Sequence, residues 1–164
     1  MDKYYFDTCT IIDYIDDRSS FNKKVVCAIT QIKGLRVFSE YMENELKSVL
    51  RHAEKFYERK DIMLNNYIKV KQSSNIKFIP NNNQILSLHR FCIRQEVRPL
   101  KFQDMVHIGI CGLENVPNIV SEDWHIHGHE GTGRPFIEKV RNELRFNDPR
   151  HAFTTRSGYL KMEV

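Results

Sequence analysis

The chain has 164 residues, 41% of them apolar and 28% charged, with a formal net charge of +4 and a sequence pI of about 8.9. That balance fits one compact globular domain with a real core and excludes a disordered or low-complexity chain. The longest apolar runs, such as Val25-Val26-Cys27-Ala28-Ile29, are far too short to span a bilayer.

Lys3–Phe6 predicts a short aromatic strand, and Ile11, Ile12 and Ile15 give Thr8–Ile15 the spacing of a helix. Met1-Asp2-Lys3 leads straight into that strand without the basic stretch of a signal peptide, so a cytoplasmic protein is expected. Phe21–Lys33 repeats the helical pattern and stops at Gly34, a residue suited to a C-cap. Leu35–Phe38 predicts a second strand, with Ser39 as N-cap of a helix that begins at Glu40. From Tyr41 to about Val70 the pattern is almost continuously helical, read as two helices. Asn75–Ile79 reads as a strand or an extended connector, and Asn81-Asn82-Asn83 as a turn. Gln84–Gln95 is helical, with Ile85, Leu88, Phe91 and Cys92 on one face. Asp104–Leu113 is an apolar helix opened by Asp104, followed by a strand over Asn118–Ser121. His127–Pro135 reads as a loop, Phe136–Arg145 as a last helix, and Ala152–Val164 as a strand or tail.

Apolar strand runs alternating with helices are the pattern of a parallel sheet covered on both faces. In such sheets ligands bind beyond the carboxyl ends of the strands, where Asp7 and Asp123 fall. Carboxylates drawn from distant segments to one sheet edge form a hard-cation site that holds Mg²⁺ or Mn²⁺ against a phosphodiester. Asp7, Glu45, Asp104 and Asp123 are the candidates. The mildly basic remainder of the chain admits nucleic acid as a partner. Cys9, Cys27, Cys92 and Cys111 form no CxxC pair and read as small core residues rather than disulfides or a zinc site.

The ordered set Asp7-Thr8, Glu45-Leu46, Asp104-Met105-Val106-His107-Ile108-Gly109-Ile110-Cys111 and Ser121-Glu122-Asp123 resembles the PIN-domain nucleases. That family has a strand ending in Asp-Thr, a Glu-Leu pair in the helix after the second strand, an Asp-led small-residue helix and a Thr/Ser-x-Asp after a later strand. The resemblance covers about residues 3–126. It implies an α/β fold, a three-layer α/β/α sandwich around a central mainly parallel sheet, with residues 1–126 as the nuclease core. Residues 127–164 would be an extension packed on, or completing, the same domain. It also implies an endoribonuclease whose Asp7, Glu45, Asp104 and Asp123 hold Mg²⁺ or Mn²⁺, with Thr8 and Ser121 orienting carboxylates or waters. By the same analogy RNA is the substrate, an antitoxin protein is a candidate partner as in a toxin–antitoxin pair, and a homodimer is compatible.

Plainer readings stand beside each residue. Asp7 and Asp104 each precede or open a helix and serve equally well as N-caps. Glu45 reads as a solvated helix residue when taken alone, Asp123 as a turn residue, and Glu40, Glu43 and Glu122 are neighbouring acids, with Glu43 the fallback for Glu45. His125, His127 and His129 would share a face on a strand, but their glycine-rich surroundings favour a loop. Trp124 would pack or stack on a base, and Arg94, Arg98 and Lys101 would line an RNA path or simply be solvated. A scaffold that binds RNA or a protein without cutting is the alternative of a different class. An aspartyl-phosphate phosphatase would need an Asp two residues after Asp7, where Cys9 stands. The motifs GxxxxGK[ST], GxGxxG and GxSxG do not occur.

Overall fold

The computed structural model describes residues 1–16, 33–73, 75–94, 101–116, 118–121 and 154–155. Strand β1 (Lys3–Phe6) leads through Asp7 into helix α1 (Thr8–Ile15), and β2 (Leu35–Ser39) leads directly into α2 (Glu40–His52). A short 3₁₀ turn at Glu54–Phe56 separates α2 from α3 (Lys60–Lys71). There follow β3 (Ile76–Ile79), α4 (Asn83–Arg94), α5 (Phe102–Leu113), β4 (Asn118–Val120) and β5 (Thr154–Thr155).

All the described strand pairs are parallel, in the order β3-β2-β1-β4-β5. Side chains alternate across the strands, so β1, β2, β3 and β4 each feed two cores. Tyr4, Phe6, Phe38 and Val120 face α1, α2 and α3, where they meet Ile11, Met42, Leu46 and Met63. Tyr5, Val37 and Ile119 face α4 and α5, against Ile85, Cys92, Met105 and Ile108. This is the expected α/β/α sandwich, and its strands are apolar on both faces because both faces are covered. Cys92 and Cys111 are buried free thiols, as expected of core cysteines, whereas Cys9 is exposed.

Strand order reverses at β1: β2 and β3 lie to one side of it, β4 and β5 to the other. In open α/β sheets ligands bind beyond the carboxyl ends of the strands that flank such a reversal, here β1 and β4. Asp7 and Ser121 are the residues that follow those two ends.

Several boundaries differ from the sequence expectation. Helix α5 starts at Phe102 with Lys101 as its N-cap, so Asp104 sits at the third helical position rather than opening the helix. Its carboxylate accepts the backbone N–H of Lys101 at 3.1 Å, which pulls the start of the helix back by satisfying an otherwise orphaned donor. Asn75–Ile79 resolves into a strand over Ile76–Ile79 paired with β2. Gly34 is needed for close approach: a Cβ there would lie 2.6 Å from the backbone oxygen of Asp2. The helices expected over Phe21–Lys33 and Phe136–Arg145 and the loop His127–Pro135 lie outside the described residues, and of Ala152–Val164 only β5 is described. Among the described residues, no helix is long and apolar enough to cross a membrane.

Candidate active site

Asp7 caps α1: its backbone is extended and Oδ1 accepts the N–H of Thr10 at 2.8 Å. The plain N-cap reading is thus correct as far as it goes. The second oxygen, however, points across to β4 and accepts the hydroxyl of Ser121. The backbone N–H of Asp7 and the hydroxyl of Thr10 both donate to the Val120 carbonyl, at 3.2 Å each, which stitches the two strand ends together. Asp7 is only 5% exposed. Burial raises its carboxyl pKa, opposed by the hydrogen bonds from Ser121 and Thr10 and by nearby His107.

Glu45 reaches the same edge from α2. Ser39 starts that helix by accepting the Met42 N–H at 3.0 Å, and Met42, Leu46 and Leu50 bury its apolar face. Glu45 is turned toward Thr8, whose hydroxyl donates to Oε2 at 2.5 Å. The neighbouring acids on α2 are engaged elsewhere. Glu43 accepts from Lys71 at 2.7 Å, Tyr67 at 2.8 Å and Lys47 at 3.0 Å, and Glu40 accepts the Asn81 N–H at 2.7 Å. Of these three carboxylates, only Glu45 joins Thr8.

His107 is the residue that sequence reasoning missed. It is 2% exposed, three residues beyond Asp104 on the apolar helix α5. Its Nε2 lies 2.7 Å from Glu45 Oε2, and its Nδ1 lies 2.7 Å from the Tyr5 hydroxyl, which in turn lies 2.7 Å from Ser39 Oγ. An ionised carboxylate only accepts, so Nε2 donates to Glu45. Burial pushes the Tyr5 hydroxyl pKa well up, so it keeps its proton. Burial also pushes Glu45 upward, but the hydrogen bond and charge of His107, the Thr8 hydroxyl and the charge of Lys101 outweigh it and hold the carboxyl below its ordinary value. The one available signal was a polar ring inside Met105-Val106-His107-Ile108, a pattern equally suited to a plain core histidine.

The structure therefore brings together Asp7, Thr8, Glu45 and Ser121. Asp104 stands in the first turn of α5, where its charge acts on the Tyr41 hydroxyl, whose pKa is raised first by burial, then by Glu45, Cys92 and Asp104. Asp123 lies outside the described residues, as do Glu122, Trp124, His125, His127, His129 and Arg98. Among the described residues, no group of three or more His, Cys, Asp or Glu stands close enough to hold a metal ion. Asp7 and Glu45 supply hard oxygen donors, and Glu45 Oε1 takes no hydrogen bond from the described residues. That donor set fits Mg²⁺, which is commonly held through one or two carboxylates with water completing the shell.

The sequence matches no family model, and no curated protein matches it. The fold is similar to that of the crystal structure of Mycobacterium tuberculosis VapC20, a toxin that cleaves the Sarcin-Ricin loop. The two share 8% identity with a TM-score of 0.55, over 71% of this chain and 86% of that one. The likeness is one of fold: the chain has a PIN-like α/β/α fold.

Proposed function

We propose that this protein is a metal-dependent endoribonuclease that hydrolyses RNA phosphodiester bonds and serves as the toxin of a toxin–antitoxin pair. One observation carries the reading: Asp7, at the end of β1, and Glu45, from the helix after β2, are each fixed by hydrogen bonds at one sheet edge, Glu45 through the Thr8 hydroxyl next to Asp7. The fold likeness to an RNA-cleaving toxin supports the substrate class and the antitoxin partner by analogy.

Asp7 and Glu45 would hold Mg²⁺ or Mn²⁺, joined by Asp104 and Asp123 directly or through water. When bound, the ion supplies Lewis acidity at a phosphoryl oxygen and a lowered pKa for water. The protein's own part is to hold both carboxylates still and to keep Glu45 below its ordinary pKa. Ser121 and the Thr10 N–H orient Asp7, while Thr8 and His107 converge on a single oxygen of Glu45. With that oxygen doubly engaged, Oε1 is left to face a cation. Fixing both carboxylates before the substrate arrives avoids reorganisation during the reaction.

The test is cleavage of structured RNA with and without Mg²⁺ or Mn²⁺, using wild type, Asp7→Asn and Glu45→Gln. Metal-dependent cutting lost in both variants is expected. Cutting that persists in EDTA, or in the double variant, would rule the reading out. Absence of both cutting and Mn²⁺ binding would favour a non-catalytic scaffold.

A further inference from the structure

Beside Glu45 lies a cleft of about 390 Å³, at the low end of the roughly 300–1,000 Å³ range of small-molecule sites. Tyr41, His89 and Phe102 supply its aromatic surface. The Tyr41 hydroxyl lies 3.0 Å from His89 Nδ1, and the His89 and Phe102 rings meet nearly edge to face at 5.5 Å. Tyr41 also meets the His107 ring at 5.5 Å, so this aromatic surface is continuous with the ring that holds Glu45. Asn44, Asn81 and Gln103 add three carboxamides to the lining. The backbone of Asn81 is fixed by its bond to Glu40, yet its side-chain Oδ1 is enclosed and has no hydrogen-bond partner.

We propose that this cleft binds one unstacked nucleobase of the RNA, in the nucleotide adjoining the phosphodiester that is cut. The inference rests on reading Glu45 as part of a ribonuclease site. Its chemistry is that of single-stranded RNA recognition, in which a splayed base stacks on aromatic rings and its edge is read by hydrogen bonds. Carboxamides suit that edge because each offers a donor and an acceptor side by side. The unspent acceptor of Asn81 meets an amino or imino group of the base after a turn of its side chain. Lys101, whose charge already acts on Glu45, would add to the neutralisation of that nucleotide's phosphate. Because the cleft shares Glu45 with the carboxylate site, a nucleotide seated in it lies beside that site.

The test uses Leu86, which lines the cleft and is 47% exposed, so a larger side chain there fills the space without disturbing the core. The metal-free wild type, Leu86→Trp and the Asn44→Ala/Gln103→Ala double variant are titrated with each of the four nucleoside 5′-monophosphates by ligand-observed NMR. Wild type should bind at least one of them, and both variants should bind it at least about tenfold more weakly, the scale of a lost base–aromatic stack. In RNA cleavage, wild type should prefer certain bases at one position beside the cut, and the double variant should flatten that preference. No mononucleotide binding, or equal binding by Leu86→Trp, overturns the proposal. So does a dimer lost in Leu86→Trp with nucleotide binding unchanged, since a second copy would then be the occupant. Nucleotide binding blocked by Leu86→Trp in a protein that cuts no RNA sustains the cleft and sinks the ribonuclease reading. RNA cutting with an unaltered base preference in both variants does the reverse.

Discussion

Glu45 Oε2 and His107 Nε2 lie 2.7 Å apart, one on a helix of each outer layer, meeting at the carboxyl edge of the sheet that separates them. Neither residue could hold this position through its own helix. Glu45 is oriented by the imidazole and by Thr8, and the imidazole is oriented by Tyr5 and, through it, Ser39. The outer carboxylate is thus braced by a line of hydrogen bonds running back into the core.

Replacing His107 with Asn should leave the fold intact and loosen Glu45. A buried partner left without its hydrogen bond costs about 1–3 kcal/mol, so the thermal midpoint should fall by a few degrees. Loss of an orienting partner should lower Mn²⁺ affinity and RNA cleavage by about 10–100-fold. Calorimetric Mn²⁺ titration alongside a melting curve separates the two effects. A variant that melts lower but binds Mn²⁺ like wild type would reduce His107 to a packing residue.

Asp7→Asn should separate activity from stability. The amide still accepts the Thr10 N–H, and the buried charge is gone. Because burial raises the folded-state pKa of Asp7, its contribution to stability is present below the unfolded pKa and is lost as the pH rises. At pH 7.5 the Asn variant should therefore melt no lower than wild type. Its RNA cleavage should fall by about two orders of magnitude or more, since charge stabilisation by a metal is worth several kcal/mol. A variant that both melts and cuts like wild type would remove Asp7 from the site.

Glu43 and Glu45, two residues apart on α2, should respond in opposite ways. Glu43→Gln weakens contacts with Lys71, Lys47 and Tyr67 and should cost about 1 kcal/mol of stability with cleavage retained. Glu45→Gln should abolish cleavage with a smaller change in melting. Urea titration and a cleavage assay on both variants decide it, and the opposite assignment would place the acidic site in a different register of the helix.

Asp13, on α1, has its carboxyl pKa pushed up to about 6, first by burial, then by the charge of Asp7 and that of Asp16, with Lys55 opposing. A raised acid favours the folded state while protonated, so this stabilisation is complete below about pH 3.8 and is lost as the pH climbs through 6. Asp13→Asn should consequently stabilise the protein by about 1–2 kcal/mol at pH 7.5, allowing for solvent screening, and by almost nothing at pH 4. Denaturant midpoints at the two pH values measure the difference; equal gains at both would place the effect elsewhere.

Local chemistry alone determined much of this protein. The run Lys3–Phe6, the triple isoleucine spacing of α1 and the Ser39 cap specify their elements because period and capping act over a few residues. The apolar strands announced a sheet covered on both sides, and the acids after β1 and on α2 were visible as candidates. Only the tertiary structure turns Glu45 toward Thr8 and Glu43 toward Lys71, since residues two apart on a helix point to nearly opposite sides. It alone turned His107 from an unremarked core residue into the brace of Glu45, and Asp104 from the head of a helix into a cap for Lys101. Such choices depend on contacts between residues far apart in the chain, such as the 62-residue separation of Glu45 and His107, and no local pattern encodes them.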